Sequence, residues 1–247
     1  MTEETVAAPR RKRYLIADTE TCGVGKDKVA CEVALLEIDP VTIEPIGSWE
    51  SLIDPQREIP QVVIDIHGIT NEMVADAPTM QEYIDIVLAG EFKNDDLVLI
   101  CHNAPFDVPL LVDLGPVVHS VCTLFWARQL IKDSPNHKLG TLREHFDFPE
   151  NEAHRALADC HTTRRLLKVL LERAGRSLAD FAATTEQTVH TMPWGKHKGQ
   201  LVVTLPPHYL VWIWNLDDLE TNLRDSVKKA LSLAGIKTKK LEKLAIV

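Results

Sequence analysis

Short apolar runs come first along this chain, and longer amphipathic segments follow them. The early runs are rich in Val, Ile and Leu and cover residues 14–17, 29–38 and 46–53. The dipeptides Asp39-Pro40 and Glu44-Pro45 are turn signals between the second run and the third. Three strands joined by such short connections predict an antiparallel meander.

Helical patterns dominate the middle of the chain. They cover residues 79–89, 105–114, 123–132, 139–146 and 155–173. A compact apolar run at 97–100 stands among them and predicts a buried strand that leads into a helix. Strands first and helices later predict an α/β fold, with a mixed sheet flanked by helices.

The length of 247 residues is sufficient for one average domain and a smaller one. Residues 1–12 predict a basic polar tail, and the main domain is expected at 13–175. The Ala- and Thr-rich stretch 176–190 predicts a linker or a short helix. A small C-terminal module is then expected at 191–247, where an aromatic helix precedes a final helix.

The charge balance limits how this chain can meet a polyanion. The 36 Asp and Glu residues outnumber the 27 Lys and Arg residues, which gives a formal charge of −9. Attachment to nucleic acid by bulk positive charge is therefore disfavoured. Local basic patches or bound cations would have to attract such a partner.

The five cysteines are odd in number and form no CxxC pair, so neither a disulfide framework nor a zinc ribbon is indicated. Free thiols fit a reducing cytoplasm. No apolar run approaches the ~20 residues that span a bilayer, and the first residues have no secretory pattern. These features predict a soluble cytoplasmic protein that has no membrane partner.

Two carboxylates, Asp18 and Glu20, directly follow the first apolar run. Residues i and i+2 of a strand point the same way, so these two side chains would lie together. They would repel each other unless a cation neutralised them. A solvated strand end is the other interpretation of this short pattern.

Two further strings place carboxylates at helix starts. Asp107 ends Cys101-His102-Asn103-Ala104-Pro105-Phe106-Asp107, which follows the central strand, and helix capping alone would also explain it. Asp159 ends His154-Arg155-Ala156-Leu157-Ala158-Asp159, about one turn inside the long helix. A carboxylate on that buried face is costly unless it is paired or ligated. His154 alone could be a surface residue.

The three strings in this order resemble the DEDD superfamily of 3′-to-5′ exonucleases, in its subgroup with a catalytic histidine. The resemblance covers residues 13–173 and includes Asp18-Thr19-Glu20-Thr21 and His67-Gly68-Ile69-Thr70. It implies a ribonuclease-H-like fold, release of nucleoside monophosphates and two bound Mg²⁺ or Mn²⁺ ions. Oxygen ligands suit these hard cations.

The same resemblance implies a role for each motif residue. Asp18 is expected to bridge both ions, Glu20 and Asp159 to complete the ion that holds the attacking water, and Asp107 to bind the second ion. His154 is expected to be the general base, a role that suits an imidazole with an ordinary pKa near ~6.5. The substrate-binding candidates are Thr21, Cys22, Gly23, Val24, His67, Asn103 and Phe106.

The C-terminal string Met192-Pro193-Trp194-Gly195-Lys196-His197-Lys198-Gly199 is similar to a segment of the bacterial exodeoxyribonuclease X family. Trp194 stands where Phe is commoner in that family. The family acts on DNA from 3′ ends, so a single- or double-stranded DNA 3′ end is the implied partner. Lys196, His197 and Lys198 would present a basic loop to phosphates.

A structural interpretation of this tail is also open. The aromatic residues could simply form the core of the module; they are Trp194, Tyr209, Trp212 and Trp214. Residues 221–247 hold seven Lys or Arg residues against two acidic ones, a local excess that could be only a solvated face.

Three functions remain to be compared for the whole chain. The first is a metal-dependent 3′-to-5′ exodeoxyribonuclease. The second is a 3′-to-5′ exoribonuclease or a proofreading exonuclease of a polymerase, which the tail disfavours. The third is an inactive nucleic-acid-binding protein, which the five intact active-site residue types disfavour.

Overall fold

One five-stranded mixed sheet forms the centre of the main unit. The computed structural model describes residues 10–23, 28–115, 117–149, 154–186, 192, 194–198, 200, 202–216, 219 and 221–236. The strands are β1 (Lys12–Cys22), β2 (Val29–Ile38), β3 (Pro45–Leu52), β4 (Asp96–Cys101) and β5 (Val117–Cys122). Their order is β3-β2-β1-β4-β5; the pairs β3/β2 and β2/β1 are antiparallel, and the pairs β1/β4 and β4/β5 are parallel.

Helices cover both faces of this sheet. In the main unit they are α1 (Gln61–His67), α2 (Asn71–Val74), α3 (Met80–Glu82), α4 (Ala104–Asp107), α5 (Thr123–Leu130), α6 (Leu139–His145), α7 (Ala156–Ala174) and α8 (Leu178–Glu186). A π-helical turn at Tyr83–Val87 continues α3. The predicted α/β class, a ribonuclease-H-like mixed sheet flanked by helices, is confirmed.

The alternation of side chains along β1 assigns each residue to one of two cores. Tyr14 and Ile16 pack with α7, whereas Leu15 and Ala17 pack in the core on the opposite face. Both faces are therefore buried, which is why this strand reads as a continuous apolar run. Asp18 and Glu20 share the parity of Ile16 and so belong to the α7 face.

Helix α7 brings distant sequence to the end of β1. Its Leu166, Leu167 and Leu170 are fully buried in the core, and the helix ends where Gly175 adopts a φ of 61°. The thiol of Cys160 lies 3.6 Å from the carbonyl oxygen of Ile16. Residue 159, one position earlier, therefore lies at the level where β1 leaves its apolar segment.

A buried ion pair fixes the opposite end of β1. Arg13 is 5% exposed and donates from Nη2 to the Glu37 carboxylate on β2 at 2.5 Å. The guanidinium also lies 4.5 Å from the ring centroid of Phe92. Partners on several sides compensate the desolvation of this charge.

The structure corrects several predicted elements. The fifth strand, β5, was missed because Pro116 precedes it and the polar pair His119-Ser120 interrupts its apolar pattern. The helix predicted at 105–114 is only the four-residue α4 followed by 3₁₀ turns. Pro109 lacks the N–H that a continuing α-helix would need.

The first compact unit extends to Ala182, beyond the predicted boundary at 175. Helix α8 occupies much of the stretch 176–190, and its Leu178 and Phe181 are buried in the α7 core. Phe181 stacks on Trp126 with ring centroids 4.2 Å apart. Residues 187–190 lie outside the described residues.

The second unit, Ala183–Val247, has its own apolar core. After α8, the described residues of this unit form two 3₁₀ turns, Gly195–His197 and Val202–Thr204, and the helices α9 (Pro207–Trp214) and α10 (Thr221–Leu233). Leu210 and Ile213 of α9 pack against Val227 of α10 in this core. No helix in the described part of the chain is both long and apolar enough to cross a membrane.

Candidate active site

Asp18 and Glu20 lie where β1 continues beyond its parallel neighbour. The pairing of β1 with β4 ends at Ile16 and Ile100, while the pairing with β2 continues. A register shift between Glu20 and Thr21 interrupts the ladder with β2. Such bulges re-aim side chains beside active sites. The two carboxylates therefore stand at the carboxyl end of a central strand, where open α/β sheets bind ligands.

Asp107 reaches the same place from β4. The chain turns through Asn103, whose φ of 81° is the left-handed conformation that Asn tolerates well, and then enters α4. Asp107 is 2% exposed. Its Oδ1 accepts from the backbone N–H of Thr19 at 3.0 Å and from the Thr19 hydroxyl at 2.8 Å. The free edge of β1 thus fixes this carboxylate.

Asp159 and His154 complete the cluster from the start of α7. Ligand atoms of Glu20, His154 and Asp159 all lie within 4.8 Å of one another, a spacing that could hold a metal ion. The backbone N–H of His154 donates to the Asp159 carboxylate. His154 is exposed, precedes α7 by two residues, and has a φ of 62°. Strained backbone of this kind is often retained at functional sites.

The crowded carboxylates are unlike ordinary surface acids. Desolvation, followed by repulsion from Asp107 and Asp159, raises the pKa of Asp18 well above its usual value. Desolvation and repulsion from Asp159 raise the pKa of Glu20 to about 8. Desolvation also raises the pKa of Asp107 to about 7 despite its hydrogen bonds to Thr19. A group of acids that resists ionisation fits a divalent cation, which would restore the ionised state.

We expect the metal-free protein to lose stability as pH rises from about 4 to about 8. The carboxyl pKa values are raised in the folded state, so the folded protein binds more protons than the unfolded chain in that window and is stabilised below it. The melting temperature measured in chelator should fall by several degrees across this pH range, and Mg²⁺ should make it depend less on pH. Glu20→Gln should remove the part of the fall nearest pH 8. The same slope with and without metal would contradict the prediction.

Glu32 of β2 is a functional candidate that the sequence analysis missed. It is 3% exposed and is paired across the sheet with Glu20. Its Oε1 accepts from Arg155 Nε at 2.9 Å and Nη2 at 2.7 Å, and its Oε2 accepts from the Ala156 N–H at 2.9 Å. Glu32 therefore anchors the first turn of α7 and the residue next to His154. An acid in the middle of a largely apolar strand was the signal, because a buried charge needs a partner.

We expect Glu32→Gln to lower kcat by about 10- to 100-fold, since the base would no longer be held in register. The variant should also lose about 1–3 kcal/mol of stability. Glu37→Gln is the matched control, because Glu37 is also a buried, arginine-paired glutamate of β2. It should be destabilised similarly and keep its kcat, measured below both melting temperatures. Equal losses of kcat in the two variants would indicate that Glu32 has only a structural role.

The residues after Glu20 form a turn whose side chains face protein. The Thr21 hydroxyl donates to the Gly23 carbonyl at 3.1 Å, and Cys22 is fully buried. Arg57 donates to the Cys22 carbonyl oxygen at 2.9 Å. Gly23 has a φ of 114°, and a Cβ there would lie 3.0 Å from Arg57. The predicted contact at Val24 lies outside the described residues.

Of the three other substrate-binding candidates, Asn103 and Phe106 are open to solvent and His67 is buried. Phe106 is half-buried, with Lys28 Nζ 3.4 Å from its ring centroid and also donating to its carbonyl oxygen. His67 is 6% exposed, and its Nδ1 accepts from the Ile69 N–H at 3.0 Å. The predicted contact between His67 and substrate stays a prediction, and in this structure the ring is buried and bonded to protein. Lys196, His197 and Lys198 lie in the second unit.

The fold and these residues define an exonuclease. Residues 15–167 match the family RNase_T, described as "Exonuclease", which covers more than half of the chain. The protein belongs to this family of the DEDD superfamily, and the predicted enzyme class, a 3′-to-5′ exonuclease, is confirmed. Members depend on divalent metal ions. Residues 183–244 match a second family, described as "Putative quorum-sensing-regulated virulence factor".

Particular relatives extend the similarity beyond the main unit. "Exodeoxyribonuclease 10" of Escherichia coli K12 is 32% identical over 226 residues, which cover 87% of this chain and 97% of that protein. The solved structure "Exonuclease X in complex with 5' overhanging duplex DNA" has 28% identity and a TM-score of 0.57, covering 70% of this chain and 99% of that one. The predicted resemblance to this family is confirmed.

A longer relative matches a smaller share of the chain. The "Putative bifunctional exonuclease/endonuclease protein MT2247" of Mycobacterium tuberculosis is 34% identical over 182 residues. The match covers 67% of this chain and 27% of that protein. The chain thus spans about a quarter of one relative and nearly all of the other.

Proposed function

We propose that the protein is a divalent-metal-dependent 3′-to-5′ exodeoxyribonuclease that releases nucleoside monophosphates from DNA ends. The observation that carries the proposal is the convergence of four carboxylates and one exposed histidine at the free end of β1. DNA is favoured over RNA by similarity to Exodeoxyribonuclease 10 along 87% of the chain, including the tail.

Two Mg²⁺ or Mn²⁺ ions fit this donor set. We assign Asp18 to both ions, Glu20 and Asp159 to one of them, and Asp107 to the other. Hard carboxylate oxygens suit these cations, and the repulsion that raises the pKa of Asp18 gives the cluster a reason to bind them. Bound ions would supply charge stabilisation to the attacking and leaving oxygens of the phosphodiester.

His154 is the proposed general base. Its ring is exposed and within 4.8 Å of ligand atoms of Glu20 and Asp159, so it can reach a water held over them. It would accept a proton from that water as the water attacks the terminal phosphodiester. The backbone of the Thr21–Gly23 turn and the ring of Phe106 would border the terminal nucleotide.

Roles are also proposed for the parts of the chain outside the active site. We propose that 191–247 is a small module that grips DNA, that the residues after Ala182 connect it to the nuclease unit and that the residues before β1 are a basic tail. All five cysteines are free thiols, which fits the proposed cytoplasmic location.

A strand-labelling assay tests the function. The same sequence is prepared as DNA and as RNA, labelled at the 3′ or the 5′ end, both single-stranded and duplex, with Mg²⁺, Mn²⁺ or chelator. A 3′ label on DNA should be released first as a mononucleotide, and only with metal. Faster loss of RNA would favour the exoribonuclease alternative. Release from 5′ ends, or full activity in chelator, would contradict the proposal.

A further inference from the structure

The aromatic residues of the second unit are of two kinds. Tyr209 is 6% exposed and belongs to the core of that unit, and Trp214 packs against it. Trp194 and Trp212 are 38% and 51% exposed. They are the two exposed aromatic side chains among the residues that the structure describes. The interpretation of all four as core therefore fails for this pair.

The two exposed indoles are neighbours on one surface. Their ring centroids are 6.3 Å apart at an angle of 80°, and Tyr209 lies 5.2 Å from Trp212. Tyr209 and Trp212 are three residues apart on α9, so they share a helix face. Trp194 comes from the loop before it, where a Cβ on Gly195 would lie only 3.2 Å from the Tyr209 hydroxyl. We call Trp194, Trp212, Lys196 and Lys198 the tryptophan surface.

The loop that carries Trp194 is closed by backbone hydrogen bonds and is basic. Backbone hydrogen bonds from Met192 to Gln200 at 2.8 Å and from Lys198 to Gly195 at 3.0 Å close it. Lys196 and Lys198 are exposed, and Lys196 Nζ lies 5.2 Å from the Tyr209 ring centroid. The sequence has no acidic residue from 192 to 205, although the whole chain carries a formal charge of −9.

We propose that the tryptophan surface binds a single-stranded segment of the DNA substrate by stacking bases on Trp212 and Trp194 and by pairing phosphates with Lys196 and Lys198. Proteins that bind single strands without sequence preference combine aromatic rings with cations in this way. Duplex DNA would bind less well, because its bases already stack on one another. This assignment rests on the proposed function, and it specifies single-stranded DNA as the ligand of the second unit.

Chelator separates this surface from the active site. Without metal, the clustered acids offer phosphates no positive charge, so binding measured in chelator reports contacts elsewhere. The full-length protein is titrated against a fluorescent 30-mer of oligothymidylate and against the same oligonucleotide with internal abasic positions. Fluorescence anisotropy gives both dissociation constants, and melting curves show whether each variant is folded.

Trp212→Ala should weaken binding of the normal 30-mer about tenfold, the low end of the range for one lost stacked base. Trp212→Phe should retain most of the affinity. The matched control is Val203→Ala, which removes an exposed apolar side chain from the same unit and should change nothing. On the abasic 30-mer, the wild type should already be weak and Trp212→Ala should add no further loss. That equality is the signature of stacking.

The proposal is overturned if the wild type binds both oligonucleotides equally, or if folded Trp212→Ala binds the normal one as tightly as wild type. It is also overturned if sedimentation shows that Trp212→Ala dissociates a wild-type dimer, since the surface would then join two copies. The nuclease assay with Mg²⁺ is run on the same variants. A folded Trp212→Ala variant that cleaves and binds like the wild type contradicts only the assignment of the tryptophan surface. A wild-type protein that binds DNA tightly but does not cleave it contradicts only the proposed nuclease function.

Discussion

Asp18→Asn should reduce exonuclease activity by at least about 10³-fold, which corresponds to several kcal/mol of lost charge stabilisation. The substitution keeps the shape of the side chain and removes the charge that is assigned to both metal ions. It should also raise the melting temperature in chelator, because repulsion from Asp107 and Asp159 opposes the ionised form. Activity would thus be lost from a protein that is more stable without metal, and the stabilisation by Mg²⁺ should shrink.

Asp113→Asn is the matched control for this change. Asp113 is exposed and lies before β5, at the end of the sheet opposite to the carboxyl ends of β4 and β5. The control should leave activity, metal-free melting and Mg²⁺ stabilisation as in the wild type. Normal cleavage by Asp18→Asn would refute the site. If Asp18→Asn does not fold, Asp18→Glu is tested in its place, and this variant should also fail to cleave.

His154→Ala should slow turnover by about 10²–10⁴-fold, the usual contribution of a general base. Because the side chain is exposed and supports no core, binding of DNA and the melting temperature should change little. Part of the lost rate should return at high pH, where hydroxide replaces the assisted water. The measurement is kcat against pH under saturating DNA.

His154→Gln distinguishes proton transfer from space filling. Glutamine keeps a polar side chain of similar reach but has no basic ring nitrogen that can take a proton from water. The loss of kcat should therefore be similar in both variants. A wild-type rate in His154→Gln would contradict the base role.

Much of the main unit could be predicted because its signals are local. The runs that form β1 to β4 and the amphipathic pattern of α7 are each readable within about twenty residues. The order of strands and helices then indicates a mixed sheet. β5 was missed because polar residues divide a strand of only six residues, and α1 and α2 because they are short.

The acidic residues of the site could be predicted from the sequence, but the contacts that hold them in place could not. Asp18 and Glu20 follow from strand parity, and the later acids follow from their place at helix starts. The hydrogen bond between Glu32 and Ala156 joins residues 124 positions apart, and the local sequence of neither segment indicates the other. The same holds for Arg57, whose hydrogen bonds shape the turn at Cys22.

The anchor between β2 and α7 has a consequence for biosynthesis. A nascent chain in which α7 is still inside the ribosome already holds Asp18, Glu20 and Asp107, but Ala156 cannot yet bond to Glu32, so the start of α7 is not anchored beside them. The nuclease therefore gains its activity late in translation, when a contact of high sequence separation closes.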